Sequence, residues 1–364
     1  MGKNRQEYIS EIERRKADRI NTSSGYRLDM AERLIDYPHG FIKSFLSQLN
    51  DEDFIVYPKE ELVVELKHLI SSKNGVDLEN VLIDSGSDAI IKNCYHSLCS
   101  EGESIVISNP SFPMYRIYAS MFDLELIEVG YDNSLKFDLQ KIEESLDVNT
   151  RMVVLANPNS PYGDLQKKDD IVHLLKVLKN KNIYLLLDEA YIDFGGESMV
   201  ELINKFDNLI VLKTFSKAWG AAGARLGYCI SDQKNIKQIE KVQLTYPVSN
   251  TSIKFAIYLC KNQEYVDRYV YETISERDEL ITKLHNLEYD VFPSSNNSIH
   301  FHDKEDNSNV VNIFKKHNVS FKIGTTASTP LKVPGDNRDT WIRIGVGSGI
   351  LKAPYMQELL NQNI

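Results

Sequence analysis

Short apolar runs that alternate with amphipathic helical segments constrain the fold of this chain more than any other feature. The runs are rich in Val, Ile and Leu and cover residues 81–83, 104–107, 152–156, 183–187 and 209–212. They lack polar–apolar alternation, which is typical of strands buried on both faces of a sheet. The segments 88–98 and 171–178 place their apolar residues along one helix face. This order of elements predicts an α/β fold whose large domain has an open, mostly parallel sheet flanked by helices.

Charge and cysteine content argue against several classes of function. The 364 residues include 42 Lys and Arg against 52 Asp and Glu, a formal net charge of −10. Such an acidic chain is a poor sequence-independent binder of nucleic acid or anionic lipid. The 4 cysteines form no C-x-x-C pair, no run approaches the ~18 apolar residues of a membrane span, and residues 1–20 lack the apolar core of a signal peptide. We expect a cytoplasmic protein with reduced thiols, a small-molecule substrate, and no nucleic-acid or membrane partner.

Asp188 is the first candidate for chemistry. It follows the apolar run 183–187, and a carboxylate at the carboxyl end of a parallel strand lies where open α/β sheets bind ligands. An isolated aspartate at this position can equally cap the following turn. Asp-Glu-Ala after an apolar strand also occurs in P-loop ATPases, but the chain has no G-x-x-x-x-G-K-[ST] motif, and this excludes that class.

Lys217 follows the next apolar run, beside the hydroxyl of Ser216 and eight residues before Arg225. A lysine amine at the end of a buried strand suits Schiff-base chemistry, and an arginine with a serine suits a phosphate.

A further anion site is indicated by Ser85-Gly86-Ser87-Asp88, which lies before a helix predicted to begin near Asp88. Backbone N–H groups at a helix N-terminus bind anions, and Gly86 lets the backbone approach closely. A plain helix N-cap remains the alternative interpretation.

Six motifs together carry a resemblance to a known enzyme family. In chain order they are Tyr57-Pro58, Ser85-Gly86-Ser87-Asp88, Asn109-Pro110-Ser111-Phe112-Pro113, Asn157-Pro158-Asn159-Ser160-Pro161-Tyr162-Gly163, Asp188-Glu189-Ala190-Tyr191 with Ser216-Lys217 and Arg225, and Arg343 in Trp341-Ile342-Arg343-Ile344-Gly345. From about Leu28 to its end, the chain resembles the fold type I pyridoxal-phosphate enzymes. Within them it is most similar to the histidinol-phosphate aminotransferase-like branch of the class I and II aminotransferases.

This resemblance implies pyridoxal 5'-phosphate as the cofactor and gives each motif a role. Lys217 would form a Schiff base with the cofactor and later move a proton at the substrate Cα. Asp188 would face the pyridine nitrogen and keep it protonated, Tyr191 would donate to the phenolic oxygen, and Phe112 would stack on the ring face. The cofactor phosphate would be held by Gly86, Ser87, Asp88, Ser216 and Arg225. Tyr57 would reach into the neighbouring subunit, which implies a homodimer with shared active sites.

Two positions depart from the family pattern. Ser160 stands where the family usually has an asparagine that contacts the phenolic oxygen beside Tyr191, so Ser160 would reach the cofactor through water. Lys322 stands near the arginine that holds the substrate phosphate in histidinol-phosphate aminotransferases, and the 324–339 loop separates it from Arg343. Lysine binds phosphate as a point charge rather than as a bidentate fork, so histidinol phosphate is not the expected substrate.

The domain division follows from a change of periodicity near residue 250. A helical stretch and strand-like pieces are predicted at 252–287, 298–302, 319–323 and 341–346, before a final helix after Pro354. We expect residues 1–45 to form an N-terminal arm and part of the small domain. Residues 46–255 would form the large cofactor-binding domain, and residues 256–364 a smaller α+β domain.

The expected activity is transfer of an amino group between an amino acid, such as glutamate, and a small anionic keto or aldehyde substrate. Arg343 would pair with the substrate carboxylate or phosphate, and Lys322, Arg27 and Lys332 would add positive charge. The alternative is a pyridoxal-phosphate-dependent decarboxylase of a phosphorylated amino acid, since the sequence does not show which bond at Cα is broken. A scaffold protein with a vestigial site is disfavoured by the intact motifs. No metal site is expected, because His300 and His302 lack a third ligand.

Overall fold

The computed structural model describes residues 25–132, 137–303, 307–323 and 341–361. The expectations for the charged N-terminal segment, Lys332 and the 324–339 loop concern residues outside these ranges.

The described residues form strands and helices in a mostly alternating order. The strands are β1 (Tyr26–Arg27), β2 (Val81–Asp84), β3 (Ser104–Asn109), β4 (Glu125–Gly130), β5 (Thr150–Ala156), β6 (Tyr184–Asp188), β7 (Leu209–Thr214), β8 (Gly227–Ser231), β9 (Asp290–Val291), β10 (Ser298–His302), β11 (Val319–Ser320), β12 (Lys322–Ile323) and β13 (Ile342–Gly345). The α-helices are α1 (Phe41–Leu46), α2 (Glu52–Ile55), α3 (Glu60–Asn74), α4 (Gly86–Leu98), α5 (Pro113–Met121), α6 (Leu139–Ser145), α7 (Lys168–Asn180), α8 (Gln233–Glu240), α9 (Asn250–Lys261), α10 (Gln263–Asn286), α11 (Ser308–Lys316) and α12 (Pro354–Leu360). None of these helices combines the length and the apolarity needed to cross a bilayer.

A seven-stranded sheet in the order β2-β8-β7-β6-β5-β3-β4 forms the larger part of the structure. β8 is antiparallel to both of its neighbours, and the other neighbouring strands are parallel. Helices cover both faces of this sheet, and two apolar cores lie between them and the strands. The predicted mostly parallel α/β fold is therefore confirmed.

The five predicted apolar runs are confirmed as β2, β3, β5, β6 and β7. The sequence pattern missed β4, an edge strand with exposed Glu125 and Glu128, and β8, a short buried strand that contains Gly, Cys and Ser. The helical stretch predicted for 252–287 is confirmed in extent, but it consists of two helices, α9 and α10, that are separated at Asn262. The strand-like piece at 319–323 is divided between β11 and β12, which belong to different sheets.

A four-stranded antiparallel sheet in the order β12-β13-β10-β9 lies in the C-terminal part. Its apolar side packs with α10, α11 and α12 around a separate core that includes Phe301, Phe314 and Ile342. β1 pairs in parallel with β11, so the segment after residue 25 joins this part of the structure. The domain boundaries near residues 45 and 255 stay predictions.

Candidate active site

Most of the predicted motifs lie at one edge of the seven-stranded sheet, and those of Tyr57 and Arg343 lie elsewhere. β2, β3, β5, β6 and β7 end at Asp84, Asn109, Ala156, Asp188 and Thr214. Each of these ends leads into one of the sequence motifs, and the carboxyl ends of parallel strands lie at the same sheet edge. The fold therefore gathers segments that are far apart in sequence.

The amine of Lys217 lies between the large sheet and the segment that contains Met30 and Ala31. Its Nζ donates to the backbone carbonyls of Met30, at 3.2 Å, and Ala31, at 3.4 Å. The Ala31 carbonyl also accepts a hydrogen bond from Asn297 Nδ2 at 3.1 Å, which connects Lys217 with the small sheet. Sequence reasoning missed these two carbonyls, because a backbone acceptor carries no side-chain signal.

Tyr191 lies beside Lys217, with the Lys217 Nζ 5.2 Å from the centre of its ring. Burial raises the pKa of the Tyr191 hydroxyl, but the positive charges of Lys217 and Arg343 and hydrogen bonds with Ser160 and Lys217 outweigh burial, so the pKa is lowered. Ser160 therefore contacts Tyr191 directly in this structure. A tyrosine with a lowered pKa is a stronger hydrogen-bond donor to a nearby oxygen.

Asp188 is buried, and both of its carboxylate oxygens have a donor. Oδ1 accepts from the backbone N–H of Ala190 at 3.0 Å, and Oδ2 accepts from the hydroxyl of Tyr115 at 2.7 Å. Burial raises the pKa of Asp188, while these two hydrogen bonds and the charge of Lys217 oppose that shift. Sequence reasoning missed Tyr115, because an aromatic residue on the apolar face of a helix is typical of core packing.

The predicted anion loop is the first turn of α4, which begins at Gly86, two residues before Asp88. Gly86 has a φ of +83°, and a Cβ at this position would lie 3.1 Å from Arg225 Nη2. Ser87 is the next residue of that turn, and Asp88 accepts a hydrogen bond from Tyr118 of α5. The helix N-terminus and the Arg225 guanidinium therefore face each other, as an anion site requires.

A row of nitrogen-bearing side chains crosses the small sheet. Arg343 on β13 is directly opposite Lys322 on one neighbouring strand and His300 on the other. Directly opposite residues of antiparallel strands share one face of the sheet, so the structure brings Lys322 and Arg343 together. Arg343 is buried, with its Nε 3.5 Å from Ser298 Oγ. Burial and the Arg343 charge hold the pKa of His300 well below its usual range, so His300 is neutral near pH 7.

The remaining candidates have separate positions. Phe112 is the N-cap residue of α5, and its ring meets the edge of the Tyr115 ring at 5.6 Å between centroids. Ser216 follows β7, and its N–H donates to Thr214 Oγ1. Tyr57 is 75% exposed on the surface of the chain, where it stacks on Tyr246.

Comparison with known proteins places this geometry in a family. Residues 22–360 match the family described as aminotransferase class I and II. Histidinol-phosphate aminotransferase 1 of Carboxydothermus hydrogenoformans is 34% identical over 262 residues, which is 72% of this chain and 74% of that protein.

Two solved structures share the fold. Histidinol-phosphate aminotransferase from Sinorhizobium meliloti, in complex with pyridoxal-5'-phosphate, has a TM-score of 0.75 and 21% identity, and the alignment covers 92% of this chain and 88% of that one. L-threonine-O-3-phosphate decarboxylase from Porphyromonas gingivalis has a TM-score of 0.69 and 20% identity, with coverage of 88% of this chain and 93% of that one. The chain belongs to the class I and II aminotransferases and is a pyridoxal-phosphate-dependent enzyme similar to histidinol-phosphate aminotransferases.

Proposed function

We propose that this aminotransferase moves an amino group from an amino acid, with glutamate as the donor, to a keto or aldehyde substrate that carries phosphate, phosphonate or a second carboxylate. The observation that carries this proposal is the side-by-side position of Lys322 and Arg343 on one face of the small sheet. An anionic substrate group that reaches this face could form charge-assisted hydrogen bonds with both cationic side chains.

The residues at the sheet edge fit pyridoxal phosphate. The space that a Cβ on Gly86 would enter faces the Arg225 guanidinium, which suits a phosphate at the N-terminus of α4. Asp188 supplies a buried carboxylate for a ring nitrogen, and Lys217 supplies a primary amine for a carbonyl carbon. These three features have the chemistry that the parts of the cofactor need.

Each proposed role follows from the contacts of the side chain. When bound, the cofactor supplies an electron sink for the bond broken at the substrate Cα. Lys217 would bond to the cofactor carbonyl carbon and move the proton at Cα. Without cofactor and substrate, its amine donates to the backbone carbonyls of Met30 and Ala31. Tyr191, with its lowered pKa, would donate to the phenolic oxygen. Arg343 would bind the α-carboxylate of the substrate, and a carboxylate held by a guanidinium favours proton removal at Cα over loss of carbon dioxide.

We also propose a cytoplasmic homodimer in which Tyr57 completes the site of the partner subunit. Exposed apolar side chains around Tyr57 support an interface, because Phe54, Ile55 and Leu244 are at least 70% exposed. Sedimentation of the holoenzyme at assay concentration tests this proposal, and a fully active monomer would contradict it.

The activity is tested in two half-reactions. L-Glutamate alone should release 2-oxoglutarate and no carbon dioxide from the holoenzyme. A panel of acceptors then compares phosphorylated aldehydes and dicarboxylic keto acids with neutral apolar keto acids. Preference for the neutral acceptors would refute the anionic-substrate proposal, and carbon dioxide release from phosphothreonine would identify a decarboxylase instead.

A pair of lysine variants locates the anion site. Lys322→Gln should raise KM for the preferred anionic acceptor about tenfold, a typical effect of losing one charge-assisted contact. Lys315→Gln, on the exposed end of α11, is the matched control and should leave KM unchanged. An equal effect of both substitutions would contradict the placement of the anion at Lys322.

A further inference from the structure

Tyr115 contacts the one carboxylate that the proposed function places at the cofactor ring. We propose that Tyr115 is a positioning residue whose hydroxyl keeps Asp188 an oriented carboxylate, so that the proton shared with the cofactor's pyridine nitrogen stays on the nitrogen. The proposal rests on the role given to Asp188 above, and it adds Tyr115, a residue that none of the six sequence motifs contains.

The geometry of Tyr115 is that of a charge-assisted hydrogen bond. The side chain is completely buried on α5, and its hydroxyl donates to Asp188 Oδ2 at 2.7 Å. Oδ1 is held independently by the Ala190 N–H at 3.0 Å. The carboxylate therefore has a donor at each oxygen, on two different segments, which fixes its orientation. Each oxygen keeps a further lone pair that can accept from the ring nitrogen.

The position of the proton depends on how basic Asp188 is. Burial raises the pKa of Asp188, the nearby negative charge of Glu189 also raises it, and the hydrogen bonds from Tyr115 and Ala190 and the Lys217 charge lower it. A more basic carboxylate draws the shared proton away from the pyridine nitrogen, and a neutral ring is a weaker electron sink. Removal of the Tyr115 hydroxyl leaves a buried carboxylate oxygen with one donor fewer, so the proton shifts toward Asp188.

Tyr115 also links two proposed contacts of the ring. Phe112, the N-cap residue three positions earlier, packs edge-on with the Tyr115 ring at 5.6 Å between centroids. Tyr115 therefore contacts both Phe112, which is proposed to cover the ring face, and Asp188, which is proposed to face the ring nitrogen. A displacement of α5 would move both contacts together.

The test measures the protonation of the cofactor in the holoenzyme by nitrogen-15 NMR. Enzyme reconstituted with pyridoxal phosphate labelled at the ring nitrogen should show a protonated nitrogen, and Tyr115→Phe should move the resonance toward the neutral-pyridine position. In that variant, kcat should fall about tenfold with KM for glutamate nearly unchanged, since a hydrogen bond to a charged group commonly changes an equilibrium by that factor. Placement of 4-aminophenylalanine at position 115 keeps a weaker donor of the same shape and should give an intermediate resonance, even if the phenylalanine variant fails to fold.

Tyr95→Phe is the matched control. Tyr95 is also completely buried, but its hydroxyl has no hydrogen-bond partner among the described residues, so its removal should leave the resonance unchanged. A wild-type resonance in both position-115 variants would overturn the proposal. Asp188→Asn distinguishes failure of the proposed role of Asp188 from failure of the role of Tyr115 alone. A wild-type resonance in Asp188→Asn would overturn the role of Asp188, and the role of Tyr115 with it.

Discussion

Replacement of Lys213 by methionine should lower the free energy of unfolding of the apoprotein by about 3 kcal/mol. Lys213 Nζ lies 3.0 Å from Glu189 Oε2, and the two side chains are 9% and 0% exposed. The pair joins the ends of β7 and β6, the strands that precede Lys217 and end at Asp188. The ion pair therefore connects the segment that contains Asp188 with the segment that leads to Lys217.

The magnitude follows from what Glu189 keeps when Lys213 is removed. Removal of one partner of a buried ion pair commonly costs about 3–5 kcal/mol, because the remaining charge stays buried without compensation. Glu189 would keep hydrogen bonds from Ser198 Oγ at 2.5 Å and from the Met199 N–H at 2.7 Å, which places the cost at the lower end. In the double variant Glu189→Gln with Lys213→Met no charge is left unpaired, and the cost should fall to about 1 kcal/mol.

The pH dependence of this loss can be worked out from Lys213. Burial alone would lower the pKa of Lys213, but the charge and hydrogen bond of Glu189, together with Tyr228 and Asp193, outweigh burial and raise the pKa above its ordinary value. The stability that comes from a raised lysine pKa is fully present below the unfolded-state pKa and is lost only as the pH rises through the folded-state pKa. The cost of Lys213→Met should therefore be constant between about pH 6.5 and 8.5.

The assay is equilibrium urea unfolding of the apoprotein at fixed protomer concentration, since bound cofactor and subunit association both add to apparent stability. Lys261→Met is the matched control, because its ion pair with Glu65 is exposed and should contribute less than about 1 kcal/mol. A cost below about 1 kcal/mol for Lys213→Met, or a double variant as unstable as the single one, would refute the reasoning.

Three further predictions concern the proposed site. Lys217→Ala should abolish the visible absorption of the Lys217-linked cofactor and all turnover, and an unchanged spectrum would remove Lys217 from its role. Asp188→Asn should keep the cofactor bound but lose most turnover, measured by glutamate-dependent 2-oxoglutarate release; near wild-type rates would contradict the role of Asp188. Gly227→Ala should lower the free energy of unfolding by about 1–3 kcal/mol and weaken cofactor binding in an equilibrium titration, whereas Gly223→Ala, which meets open space, should do neither.

The sequence was sufficient to predict five buried strands of the large sheet, β2, β3, β5, β6 and β7, and the residues at their carboxyl ends. Buried parallel strands are short, continuously apolar runs, and the ends of such strands are fixed in space once the sheet is known. Lys217 and Asp188 therefore have positions that a reader of the sequence can infer. Ser160 forms a hydrogen bond with Tyr191, and its expected contact with the cofactor through water stays a prediction.

The partners of these residues could not be predicted, because they come from packing between distant segments. Tyr115 belongs to the apolar face of α5, and only the packing of α5 on the sheet shows that its hydroxyl reaches Asp188. Lys213 is one residue of a buried strand, and its pairing with Glu189 depends on the register of β6 and β7. A side chain of mixed polarity fits several environments, and the tertiary structure selects one of them.

Gly227 connects the predicted anion motif at the start of α4 with β8, a strand that the sequence pattern did not predict. A Cβ on Gly227 would lie 2.4 Å from the backbone nitrogen of Ser87 and 2.6 Å from the carbonyl carbon of Gly86, so only glycine lets β8 lie against the first turn of α4. Two residues earlier, Arg225 adopts a φ of +51° and directs its guanidinium toward that turn. The two halves of the proposed phosphate site therefore meet because one antiparallel strand, β8, is inserted between β2 and β7. In this arrangement Gly227 permits the close approach of the two backbones, and Arg225, two residues earlier, supplies the positive charge.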